Sequence, residues 1–141
     1  MAQFAPPLPT QPPIQPPIQQ AEPVTLSPGD SVAEACHAMQ RHGTTAVLIV
    51  GVGERLLGIF TGRDAVRCLA EGCDPQQTRV EWEMTRSPVT IPPDLPIQEA
   101  LRVFEAAGVR HLPVCVDGRP RGVLRRGAGT RPAFPPEPKL P

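Results

Sequence analysis

Val24-Thr25-Leu26-Ser27-Pro28 and Val89-Thr90-Ile91-Pro92-Pro93 are one short pattern written twice, 65 positions apart. At that spacing Val32 meets Ile97, Glu34 meets Glu99, Ala35 meets Ala100, Cys36 meets Leu101 and Met39 meets Phe104. Gly43 then meets Gly108, Val47 meets Leu112 and Ile49 meets Val114. One residue drops out in the next turn, and Gly58-Ile59 meets Gly122-Val123 at a spacing of 64. Chance similarity rarely keeps apolar positions, a helix-stopping glycine and a turn in a single frame. The chain is an internal duplication.

Both copies follow one physical plan. Ser31 and Glu34 form an S-x-x-E capping box that opens a helix. Val32, Ala35, Cys36 and Met39 then recur at helical spacing and give one apolar face, ended by Gly43 as a left-handed stop. In the second copy Ile97, Ala100, Leu101 and Phe104 repeat the face, Gly108 the stop, and Pro96 suits the first turn. After each helix a β-branched run (Ala46 to Val50, Leu112 to Val116) leads through a turn to another strand, Leu56 to Thr61 or Arg121 to Leu124. Asp117-Gly118 is a strong hairpin signal. Gly51-Val52-Gly53 occupies the matching turn; no helix opens there and a third glycine is missing, so a dinucleotide fingerprint is excluded. The first copy continues into a helix from Gly62 to Glu71, stopped by Gly72.

The unit order is therefore β-α-β-β-α. A unit of roughly 50 residues buries too little surface to stand alone. The expected fold is α+β: two such repeats packed sheet against sheet with pseudo-two-fold symmetry. The expected segments are a proline-rich disordered tail over 1–22, a first repeat over 23–73, a linker over 74–84, an incomplete second repeat over 85–126 and a disordered tail over 127–141.

Composition narrows the function. Fourteen basic and 14 acidic residues cancel among 141, so no overall field draws the chain to nucleic acid or an anionic membrane. Aromatic residues make up only 4%, too few for a base-stacking platform. No apolar run approaches the roughly 20 residues that span a bilayer. The start shows neither a basic n-region nor an apolar h-region, which points to the cytoplasm. Proline, 21 residues in all, clusters at the two ends and favours an extended tether there.

With these features in place, the chain resembles a tandem CBS-domain pair, or Bateman module. Met84-Thr85-x-x-Pro88-Val89-Thr90-Ile91, Glu99-Ala100-Leu101 and Arg110-His111-Leu112-Pro113-Val114 carry the resemblance in the second unit. Gly58-Ile59-Phe60-Thr61-Gly62-Arg63-Asp64 carries it in the first. The resemblance implies a regulatory module without catalytic activity. Its crevice would take AMP, ADP, ATP or S-adenosylmethionine as ligand, with no cofactor required. It implies a homodimer and control of an effector protein. Residue by residue, Asp64 would accept hydrogen bonds from ribose hydroxyls and Thr61 would donate towards ribose or phosphate. Arg110 and His111 would handle phosphate. Ile59, Thr85, Val89 and Pro113 would line the base slot.

Simpler roles stand beside these. Thr61-x-x-Asp64 is also a capping box, worth roughly 1 kcal/mol to its helix, and one segment can serve both purposes. Arg110 and His111 also suit a solvated or paired surface. The second unit departs from the family where Arg125 and Ala128 stand for Thr61 and Asp64. Gly127 to Pro132 cannot continue as a helix, so at most one adenosyl site per chain is expected. A ligand-free dimerisation or scaffold module, or a degenerate CBS protein without ligand binding, are the alternatives. A shifted reading frame would also produce such an ending.

Among the four cysteines, Cys36 and Cys115 read as small core residues. Cys68-x4-Cys73 offers half a zinc site without a second pair, and cytosolic thiols are expected reduced. His37, His42 and His111 sit in no hydrolase or kinase motif.

Overall fold

The computed structural model describes residues 18–127. Of the expected tails over 1–22 and 127–141, the parts at 1–17 and 128–141 lie outside the described residues. In chain order the described residues form β1 (Ile18–Ala21), β2 (Thr25–Leu26), α1 (Val32–His42), β3 (Ala46–Val50), a 3-10 turn (Val52–Glu54), β4 (Leu56–Thr61) and α2 (Gly62–Ala70). Next come α3 (Val80–Glu83), β5 (Thr85–Arg86), α4 (Ile97–Ala107), β6 (His111–Val116) and β7 (Arg119–Arg126).

The strands make two sheets, ordered β2-β3-β4-β5 and β1-β7-β6. Leu26 pairs in parallel with Ile49, and 65 residues on Ile91 bridges Val114 in the same sense. The duplication read from the sequence thus reappears as a repeated register. Ala46, Leu48 and Ile59 of the first sheet pack with Val123 of the second, so the sheets meet face to face as expected. Behind the first sheet, Val32, Ala35 and Met39 of α1 join Ala65 and Cys68 of α2 in one core. Behind the second, Ala100 and Phe104 of α4 cover Leu112 and Val114.

Both helices end as their glycines demand: Gly43 has φ 63° and Gly108 φ 67°, a region that glycine enters without strain. The Ser31–Glu34 capping box forms in full, with Glu34 N–H donating to Ser31 Oγ at 3.0 Å and Ser31 N–H to Glu34 Oε1 at 2.9 Å.

Five features differ from the expectation. The tail assigned to 1–22 gives way to a strand at Ile18, in the proline-free stretch after Pro17. Ile18 is buried in the second core, and its strand pairs antiparallel with β7. The linker assigned to 74–84 contains α3, whose Val80 is fully buried in the first core. That segment is also tied to α1 by Val32 N–H donating to Thr78 O at 2.9 Å.

The entry strand of the second unit shrinks to the Ile91 bridge, for a local reason. In the first unit Leu48 N–H donates to Val24 O at 2.8 Å; the matching donor in the second unit is Pro113, which has no N–H. Ile97, expected inward, is 54% exposed. Its counterpart Val32 is covered by the 74–80 segment, and nothing among the described residues does this for Ile97.

The expectation of reduced thiols is also corrected: Cys68 and Cys73 are joined as a disulfide, with Cα atoms 5.3 Å apart. After α2 the chain turns at Gly72 (φ 85°), and Cys73 N–H donates to Cys68 O at 2.9 Å. That turn alone brings the sulfurs together.

Candidate functional site

The strand-to-helix step from β4 to α2 places the first pair of candidate residues. Thr61 has extended backbone and caps α2, with Asp64 N–H donating to Thr61 Oγ1 at 3.4 Å. Asp64 returns the bond: its Oδ2 accepts from Thr61 N–H at 2.9 Å and from the Thr61 hydroxyl at 3.2 Å. Its other oxygen, Oδ1, accepts from Arg67 Nη1 at 2.9 Å, a contact that is also an ion pair. Asp64 is the one buried charged residue among those described, at 6% exposure. A carboxylate so placed needs partners for both oxygens, and it has them. Arg67 continues outward, donating through Nη2 to Glu83 O at 2.9 Å. The capping role is therefore present, and a ligand at this turn would share the carboxylate with the cap and Arg67.

The second group enters from β6. His111 Nε2 and Thr45 Oγ1 share a hydrogen bond of 3.1 Å, which joins the second half of the chain to the first. Thr45 O in turn accepts from Gly62 N–H at 3.0 Å, and Ala46 pairs with Thr61 in the ladder. His111, Thr45 and the start of α2 are thus one connected patch across the crevice. His111 lies opposite Arg125 in the β6–β7 ladder. Burial first, then the charges of Arg125 and Arg110, push its pKa down from 6.5 to about 4. The imidazole is neutral at pH 7 and offers one donor and one acceptor. Arg110 is exposed, and its carbonyl accepts from Arg126 N–H at 2.9 Å.

The four residues expected in a base slot divide. Thr85 pairs with Ile59 across β5 and β4, which brings those two together. Ile59 has its side chain in the packed layer between the sheets, and Pro113 is buried in β6. Val89 is 48% exposed, released by the missing Pro113 donor. A cleft of about 450 Å³ is lined by Leu56, Ser87, Pro88, Ile91, Cys115 and Gly118 among others. None of the eight expected residues lines it, although it shares the segment around Val89. Thr45 and Arg67 went unnoticed in the sequence, and Arg125 was read there only as the departure from Thr61. Thr45 had a usable signal, since it is the counterpart of Arg110 at the 65-residue spacing.

Among the described residues, no group of three or more His, Cys, Asp or Glu side chains converges to hold a metal ion. No helix among them is long and apolar enough to cross a membrane.

The CBS-domain family pattern matches this chain twice, over residues 18–71 and 79–128. The chain belongs to the CBS-domain family. The CBS domain-containing protein CBSCBSPB2 of Arabidopsis thaliana is 35% identical over 102 residues, which cover 72% of this chain and 19% of that protein. The chain therefore spans about a fifth of that relative's length. Among solved structures, the CBS domain pair of protein MJ0100, in complex with 5′-methylthioadenosine and S-adenosyl-L-methionine, superposes with a TM-score of 0.68 at 25% identity. The match covers 74% of this chain and 86% of that one. The CBS domain protein PAE2072 from Pyrobaculum aerophilum, complexed with AMP, gives a TM-score of 0.69 at 20% identity, over 74% of this chain and 80% of that one. At that identity the likeness concerns the fold. In this CBS pair the Gly58 to Asp64 segment of the first repeat meets the second repeat where Thr45 and His111 share their hydrogen bond.

Proposed function

We propose that this CBS pair is a regulatory module that binds an adenosine-containing ligand in the crevice between its repeats and passes occupancy to an effector or partner protein. One observation carries the reading: the Thr61–Asp64 turn of the first repeat is tied through Thr45 to His111 of the second. A ligand spanning ribose and phosphate would touch both repeats at once. Its binding energy would then depend on how the repeats sit against each other, which is what coupling between a site and a partner requires. The complex of MJ0100 with two adenosyl compounds supports the ligand class. Within the reading Asp64 and Thr61 meet ribose, Arg110 and His111 meet phosphate, and Ile59, Thr85, Val89 and Pro113 border the base. AMP, ADP, ATP and S-adenosylmethionine are the candidate ligands.

The module performs no chemistry of its own in this reading. Cys115, the thiol bordering the cleft, has its pKa raised by burial, which keeps it protonated and a poor nucleophile. The copies associate as a homodimer in the cytoplasm. Calorimetric titration with the four ligands tests the proposal. Binding to the native state raises the melting temperature; no heat and no shift at millimolar ligand would remove it.

A second reading has its own support. Both oxygens of Asp64 already have protein partners, while Val66, Leu69 and Trp82 on the outer faces of α2 and α3 are 67%, 56% and 61% exposed. A ligand-free scaffold would use those faces for assembly. In that case Asp64→Ala removes a helix cap and the Arg67 ion pair with no effect on assembly, and substitutions at Val66 or Leu69 change the sedimentation behaviour.

A further inference from the structure

At the position of Thr61 the second repeat carries Arg125. The exchange changes the electrostatics of the crevice. Arg125 stands opposite His111 in the ladder, and Arg110 precedes His111 in the chain. Arg125 Nη2 donates to Gln19 Oε1 at 3.0 Å, a neutral acceptor that leaves the guanidinium charge uncancelled. Among the described residues neither Arg110 nor Arg125 forms an ion pair, whereas Arg102 and Arg126 of the same repeat pair with Glu99 and Glu105. The buried carboxylate at the far side, Asp64, is already balanced by Arg67 at 2.9 Å. This edge of the crevice therefore holds two uncompensated positive charges beside a neutral imidazole and the hydroxyl of Thr45. Arg110 is exposed and Arg125 half-buried, so salt should weaken this field.

We propose that Arg125 is a third phosphate contact beside Arg110 and His111, and that the two arginines restrict the crevice to phosphate-bearing adenosine compounds over the sulfonium class. The inference rests on the adenosine reading above and narrows it. A phosphate brings negative charge to two forked donors. The sulfonium of S-adenosylmethionine brings positive charge to the same place and is repelled.

Titration calorimetry of the full chain with AMP, adenosine and S-adenosylmethionine tests this, at low and high salt. The wild type should bind AMP at least about tenfold more tightly than adenosine, as expected for a charge-assisted contact. S-Adenosylmethionine should bind no better than adenosine. Arg125→Gln should shrink the AMP-to-adenosine ratio several-fold by weakening AMP, with Arg110 and His111 keeping part of the preference, and Arg125→Lys should restore much of it. Thermal melts of the unliganded variants establish that they fold. A second arm uses inorganic pyrophosphate, whose stabilisation of the wild type should shrink in Arg125→Gln. If AMP binds and Arg125→Gln leaves its preference intact, the arginine proposal is overturned and the adenosine reading survives. If no adenosine compound binds but pyrophosphate stabilises through Arg125, the anion contact stands and the adenosine reading falls. Failure of both arms sinks both.

Discussion

Arg55 and Arg119 clasp the two repeats at their hairpin ends in a reciprocal exchange. Arg55 Nη1 donates to the carbonyl of Asp117 at 3.4 Å, and Arg119 Nε donates to the carbonyl of Gly53 at 2.7 Å. The residues are 64 positions apart, as are their acceptors, so the contact obeys the pseudo-two-fold relation of the repeats. Leu56 N–H donating to Gly118 O at 2.8 Å closes the same joint. With Thr45–His111 at the other end, the crevice is pinned at both extremities.

The clasp should contribute measurably to stability. Replacing Arg55 or Arg119 with Ala should each cost about 0.5–1.5 kcal/mol, the ordinary net worth of one such hydrogen bond. The Arg119 substitution should cost more, because its bond is shorter. Urea denaturation of the two single variants and the double variant measures this. A double variant as stable as the wild type would show that the clasp is ornamental.

Asp64 should be felt through both its cap and its ion pair. Asp64→Ala removes the acceptor for Thr61 N–H and leaves Arg67 without its closest carboxylate. A loss of about 1–2 kcal/mol is expected in chemical denaturation, with Arg67 half exposed and so adding little to the cap. Asp64→Asn, which keeps an acceptor oxygen, should lose less. If the crevice binds adenosine compounds, both variants lose that binding by far more than they lose stability.

His111 predicts a pH dependence whose sign comes from its lowered pKa. The unfolded chain takes up the proton near pH 6.5 and the folded chain near pH 4. The stabilising difference is complete above pH 6.5 and is lost as pH falls towards 4. The effect is at most about 3 kcal/mol. Melting temperatures between pH 7 and 4 should fall more steeply for the wild type than for His111→Gln. Parallel slopes would contradict the burial assigned to this ring.

Gly58 has no room for a side chain. A Cβ there would lie 2.7 Å from the carbonyl oxygen of Thr85 and would also strike the Met84 side chain. Gly58→Ala should push β5 away from β4 and cost about 1–3 kcal/mol. The counterpart Gly122 faces the carbonyl of Ala21 at a looser 3.3 Å, so Gly122→Ala should cost less. Chemical denaturation of the pair checks the order.

The sequence was most legible where both repeats carry the same signal. The α1 and α4 boundaries, the strands after them and the Thr61–Asp64 cap all come from capping residues, glycine stops and apolar spacing. Legibility failed where one copy lacks what the other has. Pro113 satisfies an apolar strand pattern yet withholds the donor on which the entry strand depends. Ile97 keeps helical periodicity without the covering segment that buries Val32. Ile18 hid in a proline-rich context although its own stretch is free of proline. At the site, Thr61 and Asp64 were readable because they are neighbours on one turn. Thr45 and Arg67 were not, because their contacts arise across sheets or along a helix face, and Arg125 was legible only as the residue in place of Thr61. Cys68 and Cys73 come together through a glycine turn that spacing alone does not reveal.

The strand exchange at the sheet margins carries a final consequence. The segment leading into the first repeat borders the second sheet through β1, and the segment leading into the second repeat borders the first through β5. Neither repeat owns all the backbone that finishes its sheet. An isolated repeat would show a bare margin ready to recruit foreign chain, so melting should be a single concerted event, and a protein cut between Cys73 and Val80 should refold only when both fragments are mixed.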